Sequence, residues 1–200
     1  FLIPFYIQFV LGFNASTMGW IIVPSALSMV IAGPVGGRFS DKYGWGIFNV
    51  GGMIVTAIGL LILVNLDVEK PLILIIVGMV VQTLGSGSFW PSNNSSILSV
   101  VSPSNYGVIS SFTNLVRNSG HVVGVAISTA IVTGTMGSLG HPPTLSAINE
   151  ASSLSILSAF TIGLQNTFWV CVAFSLMAAL ASLIGTSWKN KNIKTRSSTS

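Results

Sequence analysis

The sequence has 200 residues, of which 6% are charged and 50% hydrophobic. Soluble domains carry about 25% charged residues, so this composition excludes a soluble globular protein. It also excludes an intrinsically disordered chain, because disorder requires low hydrophobicity and high charge. The mean hydropathy is +0.80. The single cysteine, Cys171, excludes a disulfide framework and a thiolate zinc site. The composition therefore predicts an all-α membrane protein with several spans.

Hydropathy predicts five complete spans and one fragment, since a membrane helix needs about 20 mostly apolar residues. The fragment is too short to cross a bilayer and does not begin with Met, so we expect a longer parent protein. The predicted spans are residues 1–12 (truncated), 17–36, 46–66, 71–101, 107–134 and 162–188. We expect residues 135–161 to form an extracytoplasmic interfacial segment containing a surface helix, and residues 189–200 to form a basic cytoplasmic tail.

Basic residues near span ends predict the orientation, because Lys and Arg favour the cytoplasmic side. Arg38 and Lys42 follow the second span, and four predicted spans separate them from the basic tail. An even number of spans places both regions on one side. The segment 107–134 must then span, although it contains Arg117. Four residues fall in the opposite loops: Asp67, Glu69, Lys70 and Glu150.

The short basic loop from Gly37 to Gly44 has two possible roles. Its glycines allow tight turns, and Asp41 could cap the next helix or pair with Arg38 or Lys42. One interpretation is a turn that only sets topology. The other is a switch between conformations, with Gly37, Arg38, Asp41 and Gly44 as its residues.

The spacing G-x-x-x-D-x-x-G from Gly37 to Gly44 resembles the signature loop of the major facilitator superfamily. The sequence departs from the longer form of that motif at Trp45 and Gly46, where the family has basic residues. Two further sets of residues resemble the 14-span drug:proton antiporter family. They are Pro24 with the run Gly33-Pro34-Val35-Gly36-Gly37-Arg38, and the later series Gly107, Asn114, Arg117, Asn118, Gly120 and Gly124.

The order of these motifs is that of the last six spans of such a transporter. The resemblance implies a six-span C-terminal half-bundle that works with a missing N-terminal half of the same chain. It also implies a small-molecule substrate, protons as the coupling ion and a site near the middle of the bilayer. The expected location is the cell membrane, with the C-terminus in the cytoplasm.

Polar residues in the fifth predicted span share one helix face, because residues three or four apart lie on the same side. They are Ser110, Asn114, Arg117, His121, Gly124 and Ser128. Arg117 lies about 15 Å into the span, close to the midplane, where an ionisable group should face a cavity or a partner. We expect it to reach Asn114, Gln82 or Asn93, or an acid in the missing half.

The neighbouring span carries a matching polar face, formed by Gln82, Ser86, Phe89, Asn93 and Ser96. Gly85, Gly87 and Pro91 could bend or open that helix. These patterns give seven candidate residues for the substrate pathway: Arg117, Asn114, His121, Gln82, Asn93, Gln165 and Trp169. The alternative is that the polar groups bond between packed helices and that glycine pairs such as Gly120 and Gly124 allow close approach.

The favoured function is secondary active transport, with proton-coupled export of drugs or small organic compounds. All four acidic residues fall in loops, so the proton-carrying acid is expected outside this segment, and His121 is the one candidate here that titrates near neutrality. An intramembrane serine hydrolase using Ser86 or Ser88 with His121 is disfavoured, because rhomboid-type proteases carry glycine where Leu84 stands. A receptor or anchor without transport would not explain the polar faces. We expect no enzyme activity, cofactor, metal site or nucleic-acid partner.

Overall fold

The computed structural model describes residues 1–67, 71–149 and 154–197, with the backbone alone described for Asn149 and for residues 186–197. All regular elements in these ranges are helical, which confirms the all-α class. They are α1 (Ile3–Phe5), a π-helical turn (Tyr6–Val10), α2 (Ala15–Tyr43), α3 (Trp45–Val64), α4 (Leu72–Leu98), a 3₁₀ turn (Pro103–Asn105), α5 (Tyr106–Ser138), α6 (Ser146–Asn149) and α7 (Leu154–Ser197).

Five helices of the described chain, α2, α3, α4, α5 and α7, are long and apolar enough to cross a membrane. Consecutive long helices run in opposite directions, so the bundle has two ends. We call them the Gly44 end, where α2 meets α3 and α4 leads to α5, and the Asp67 end, where α3 leads to α4 and α5 leads to α7. The side chain of Asn14 begins α2 by accepting a hydrogen bond from the Thr17 amide at 2.8 Å.

The predicted loop from Gly37 to Gly44 is wrong in extent, because α2 stays helical to Tyr43. This part of α2 packs on α4: a Cβ at Gly36 would stand 2.7 Å from Ser88 Cα, and a Cβ at Gly37 would stand 3.6 Å from Pro91 Cβ. The turn needs Gly44 alone, whose φ of 93° a glycine adopts without strain. Asp41 does not cap α3, since no side chain caps the start of that helix. Gly37, Arg38 and Asp41 therefore lie in the last turns of α2.

The predicted surface helix within 135–161 is also wrong. Helix α5 continues to Ser138, α6 has four residues, and α7 begins at Leu154. Three of the apolar residues that suggested a surface helix pack into the protein: Ile148 is 2% exposed and belongs to the main hydrophobic core, against which Leu145 and Leu157 also pack. Leu154 is 73% exposed. The α7 backbone stays helical to Ser197, beyond the predicted start of the tail. The predictions for Glu69, Lys70, Glu150 and residues 198–200 lie outside the described residues.

Helix α4 packs against α2 and α3 through residues so small that the backbones approach closely. On the α2 side, a Cβ at Gly87 would lie 2.9 Å from Ala32 Cβ. On the α3 side, a Cβ at Gly52 would lie 2.8 Å from the Gly85 carbonyl oxygen. A buried hydrogen bond of 2.6 Å between the hydroxyls of Ser28 and Thr83 also joins α2 to α4. These contacts fix α4 both in depth and in rotation.

The large buried side chains gather at the Asp67 end. Tyr6, Leu63, Ile75, Met136 and Phe160 are each no more than 1% exposed and belong to one core. The Tyr6 hydroxyl donates to the Asp67 carbonyl at 2.6 Å, which holds the N-terminal turn against the end of α3. Helix α5 joins this core through Val132 and Met136, which pack on α7. The Asp67 end is therefore closed by packed side chains.

We predict that Gly52→Ala lowers the stability of the purified full-length protein by about 1–3 kcal/mol, because the new methyl group must push the α4 backbone away. Gly51→Ala is the matched control, since a Cβ at Gly51 meets nothing within 4 Å. Thermal unfolding midpoints in detergent measure both variants. Equal midpoints for the two variants would contradict the close α3–α4 packing.

Candidate functional site

The site lies between α4 and α5, where α5 leaves the rest of the bundle toward the Gly44 end. From Tyr106 to Ile127, all residues of α5 are exposed except three half-buried ones, Ile109, Thr113 and Arg117. These three are spaced by four residues and so mark the face that α5 turns toward α4. The two helices are therefore separated here by a gap with polar side chains along it.

Arg117 reaches across this gap. Its Nη2 donates a hydrogen bond to Asn114 Oδ1 at 2.7 Å, and its guanidinium carbon lies 5.4 Å from the centre of the Trp90 ring on α4. A guanidinium over an indole face is a favourable cation–π contact. Phe89 packs edge-to-face on the same indole, with ring centres 5.6 Å apart. Arg117 is thus held from two sides, by its own helix and by α4.

Asn114 is the one expected hydrogen-bond partner of Arg117 that the structure brings to it. Among the described contacts, no hydrogen bond joins Arg117 to Gln82 or Asn93. Trp90 was not among the expected partners of Arg117, because an indole does not belong to a polar face. The available signal was spacing: Trp90 lies two four-residue steps after Gln82, on the same side of α4.

A small cleft opens beside Arg117, with a volume of about 100 Å³. It is lined by Asn94, Ile97 and Leu98 of α4 and by Ser110, Thr113 and Asn114 of α5. The α4 residue in this cleft is Asn94, whereas Asn93 is half-buried and does not line it. The α4 residues that face α5 are therefore spaced by four positions. Each step of four residues rotates the position around the helix by about 40°.

A larger cavity of about 340 Å³ lies next along α5, toward the Asp67 end. Its polar lining includes two of the predicted residues, His121 of α5 and Gln82 of α4. The other lining residues are Phe1, Leu2, Ile3, Leu60, Leu63, Gly120, Gly124, Val125, Ser128, Thr167, Phe168 and Cys171. The predicted polar face of α5 thus divides between the two spaces, with Ser110 and Asn114 in the cleft and His121, Gly124 and Ser128 in the cavity.

The glycines near the site have two different roles. Gly85 and Gly87 pack against neighbouring helices, and α4 stays helical through Pro91, so these residues do not open the helix as the sequence suggested. Gly120 and Gly124 were expected to form a packing pair. A Cβ at either position would meet no described atom within 4 Å, and both glycines line the larger cavity. Their lack of a side chain leaves that cavity wider.

Two predicted residues lie away from both spaces. The Gln165 side chain is half-buried and donates through Nε2 to the Leu66 carbonyl, which links α7 to the end of α3. Trp169 is 55% exposed and lines neither space. Gln165 therefore stabilises the Asp67 end in this structure.

The structure does not support a serine nucleophile. The Ser86 hydroxyl donates to the Thr83 carbonyl at 3.3 Å, and the Ser88 hydroxyl donates to the Leu84 carbonyl at 2.9 Å. No described hydrogen bond joins either serine to His121, which a Ser–His pair would need. Within the described ranges, no group of three His, Cys, Asp or Glu side chains could hold a metal ion.

The family model described as Major Facilitator Superfamily matches residues 1–125. The riboflavin transporter RibZ of Clostridioides difficile (strain 630) is 27% identical over 183 residues, which are 92% of this chain and 38% of that protein. The multidrug transporter protein MdtP of Bacillus subtilis (strain 168) is 29% identical over 137 residues, which are 68% of this chain and 25% of that protein.

The lincomycin resistance protein LmrB of Listeria innocua serovar 6a (strain ATCC BAA-680 / CLIP 11262) is 24% identical over 182 residues, 91% of this chain and 38% of that protein. The chain therefore spans well under half the length of these relatives. No solved structure matches the chain. These relatives are named as transporters or as a resistance protein, so a transporter and not an enzyme is the class that the comparisons support.

We predict that Trp90→Leu releases Arg117 from α4 and broadens the distance distribution between α4 and α5. Spin labels at Ser95→Cys and Ser111→Cys, both exposed positions, report this distance by pulsed electron resonance when Cys171 is replaced by Ser. Trp169→Leu is the control, because that indole lines neither space between the helices. An unchanged distribution in Trp90→Leu would contradict the bridging role of the Arg117–Trp90 contact.

Proposed function

Since the chain belongs to the Major Facilitator Superfamily, we propose that it forms the C-terminal half-bundle of a secondary transporter that exports drugs or small organic compounds in exchange for protons. One observation carries the proposal: the gap between α4 and α5 holds a membrane-depth arginine beside a cavity of about 340 Å³. The multidrug and lincomycin-resistance names of two relatives favour drugs as substrates. The missing N-terminal half would form the opposite wall of the pathway.

The proposed pathway residues are Arg117, Asn114, His121 and Gln82. An intramembrane arginine is costly and usually faces a bundle interior or a water-filled cavity, and Arg117 is half-buried beside such a gap. His121 and Gln82 line the same cavity from opposite helices, so one small molecule could contact both. Alternating access can expose different faces of a helix to the substrate pathway. The secondary candidates for the pathway in another conformation are therefore Asn93, Gln165 and Trp169.

Proton coupling would rest on an acid outside this segment. The two acidic side chains that the structure describes, Asp41 and Asp67, lie at helix ends and not in the spans. His121 lines the cavity, and its imidazole is the side chain proposed to share a proton with such an acid. We propose protons, and not another ion, as the coupling ion of the exchange.

The proposed location is the cell membrane with the Gly44 end and the C-terminus in the cytoplasm, because Arg38 and Lys42 lie at that end. Gly37, Arg38, Asp41 and Gly44 are proposed to act in conformational switching from the last turns of α2. Asp41 is exposed there and makes no described ion pair with Arg38 or Lys42, so its carboxylate is available to a partner in another state.

Riboflavin is a second candidate substrate, favoured by the name of the relative whose match covers 92% of this chain. A flavin is planar and carries several carbonyl acceptors that a guanidinium and amide side chains can bind. A comparison of the rates at which the full-length protein transports riboflavin and lincomycin distinguishes the two candidates.

We predict that Arg117→Lys impairs transport nearly as much as Arg117→Ala. Lysine keeps the charge but loses the planar fork that binds Asn114 and stacks on Trp90. The measurement is efflux from cells expressing the full-length protein at matched membrane abundance. Full activity of Arg117→Ala would remove Arg117 from the pathway, and lost abundance with an unchanged rate per molecule would make it a structural residue.

We predict that Lys42→Cys and Ser104→Cys react with an impermeant thiol reagent only from the cytoplasmic side, and Ser138→Cys only from outside. All three positions are exposed, whereas Ser40 on the same turn as Lys42 is 2% exposed and would react poorly. The assay uses intact cells and inverted vesicles in a Cys171→Ser background. Labelling of Lys42→Cys and Ser138→Cys from the same side would contradict the proposed topology.

A further inference from the structure

The cleft beside Arg117 is lined by uncharged polar groups and contains no acidic side chain. Besides the Leu98 and Ile97 side chains, it is lined by the amides of Asn94 and Asn114 and by the hydroxyls of Ser110 and Thr113. The Thr113 hydroxyl is already used, since it donates to the Ile109 carbonyl at 2.8 Å. The Ser110 hydroxyl and the two amides can each accept as well as donate a hydrogen bond, and no lining residue is a carboxylate.

Arg117 stands at the edge of this cleft, hydrogen-bonded to the lining residue Asn114, and it has unused donors. A guanidinium has five N–H groups, and the described hydrogen bonds use one nitrogen, toward Asn114. The Trp90 ring covers one flat face of the guanidinium, but the N–H groups point outward in its plane. A guanidinium held in place by an indole and an amide has lost its rotational freedom before a ligand arrives. Such preorganisation favours bidentate binding of a carboxylate.

No described acidic group competes for Arg117. The sequence contains no Asp, Glu, Lys or Arg from Leu72 to Leu98 in α4, from Leu154 to Gly185 in α7, or from Ser99 to Asn105 before α5. The described acids, Asp41 and Asp67, lie at opposite ends of the bundle. Among the described residues, Arg117 is therefore the charged side chain at this gap, which favours an anion over a cation there.

The larger cavity gives a second, apolar part to the same site. Asn114 in the cleft and His121 in the cavity are seven residues apart, or about 10 Å along the helix axis. Leu60, Leu63, Val125 and Phe168 supply apolar surface to the cavity. A ligand with a charged group at one end and a flat apolar body about 10 Å long would fill both spaces along α5.

We propose that the Arg117 cleft binds the carboxylate of aromatic organic anions, with Trp90 as a positioning residue that holds the guanidinium, while the larger cavity takes the aromatic body. The proposal rests on the proposed transport function, because it names the charge class of the transported compounds. It makes aromatic carboxylates better substrates than lipophilic cations of the same size.

Fluorescein and rhodamine 123 test this choice, because both are xanthene dyes and they differ in charge at neutral pH, fluorescein being an anion and rhodamine 123 a cation. Binding to the purified full-length protein in detergent is followed by fluorescence anisotropy. We expect fluorescein to bind more tightly than rhodamine 123. Arg117→Gln should weaken fluorescein binding about tenfold or more, as expected for a lost charge-assisted hydrogen bond, without weakening rhodamine 123 binding.

Lys42→Gln is the charge-matched control, since it removes one positive charge from the exposed Gly44 end and should leave the ratio of the two dye affinities unchanged. Trp90→Phe should keep most of the preference for fluorescein, whereas Trp90→Leu should reduce it. A purely structural role of Trp90 would instead change both affinities equally. Tighter binding of rhodamine 123, no binding of fluorescein, or an unchanged ratio in Arg117→Gln would overturn the proposal.

Efflux of both dyes from cells separates this inference from the proposed function. Fluorescein that binds through Arg117 but is not exported would support the carboxylate site and contradict export. Export of other compounds with no Arg117-dependent preference between the dyes would support the transport function and contradict the carboxylate site.

Discussion

The close approach of α4 to α2 and α3 is the constraint on which the rest of the structure depends. Backbones this near require glycine or alanine at each crossing, and the space at Gly52, Gly85 and Gly87 leaves no room for a further carbon atom. Once these contacts fix the rotation of α4, its remaining side is determined. That side carries Trp90 and Asn94 and faces α5 across a gap. Gln82 lies at its border, where it packs against Gly59 of α3 and lines the larger cavity.

The position of α5 follows from the uneven distribution of large side chains. Val132 and Met136 bury the C-terminal part of α5 at the Asp67 end, together with Phe160 of α7. From Tyr106 to Ile127, α5 has no fully buried residue, and a Cβ at Gly120 or Gly124 would meet nothing within 4 Å, so this part of α5 does not pack tightly on α4. The bundle is closed at the Asp67 end by a dense core. It is open toward the Gly44 end, where α5 does not pack on α4. With the Gly44 end in the cytoplasm, as proposed, the opening would face inward.

Arg117 is compatible with this arrangement because its contacts offset the cost of its charge. An arginine at the centre of a membrane helix costs about 2.5–3.5 kcal/mol on insertion scales. A hydrogen bond involving a charged group contributes about 1.5–3 kcal/mol. A cation–π contact adds about 0.5–2 kcal/mol. Asn114 and Trp90 therefore stabilise the guanidinium within the half-bundle, and its other N–H groups stay available for a ligand or for the missing half.

The sequence predicted those features that depend on one helix at a time. Hydropathy and periodicity located the long helices, and the polar face of α5 is the face that lines the cleft and the cavity. Features that depend on contacts between helices were predicted poorly. Gly37 suggests a turn when α2 is considered alone, but α2 stays helical past it to Tyr43 and packs on α4 through Gly36. Asn93 was predicted in place of Asn94 because α4 and α5 cross along an inclined row of four-residue steps. Ile148 was placed on a membrane surface because its buried neighbours lie far away in sequence.

The central claim is that the space between α4 and α5 is a substrate pathway, and Cys171 gives the most direct measurement of it. This half-buried thiol lines the larger cavity with His121 and Gln82, and it is the single cysteine of the sequence. The measurement is the rate of its alkylation by a maleimide in a full-length protein in which any cysteine outside these 200 residues is replaced by serine, with and without a saturating concentration of a transported compound. Lys42→Cys in a Cys171→Ser background is the control. The account predicts that the compound slows alkylation of Cys171 and leaves the rate at Lys42→Cys unchanged, and equal Cys171 rates with and without the compound would contradict it.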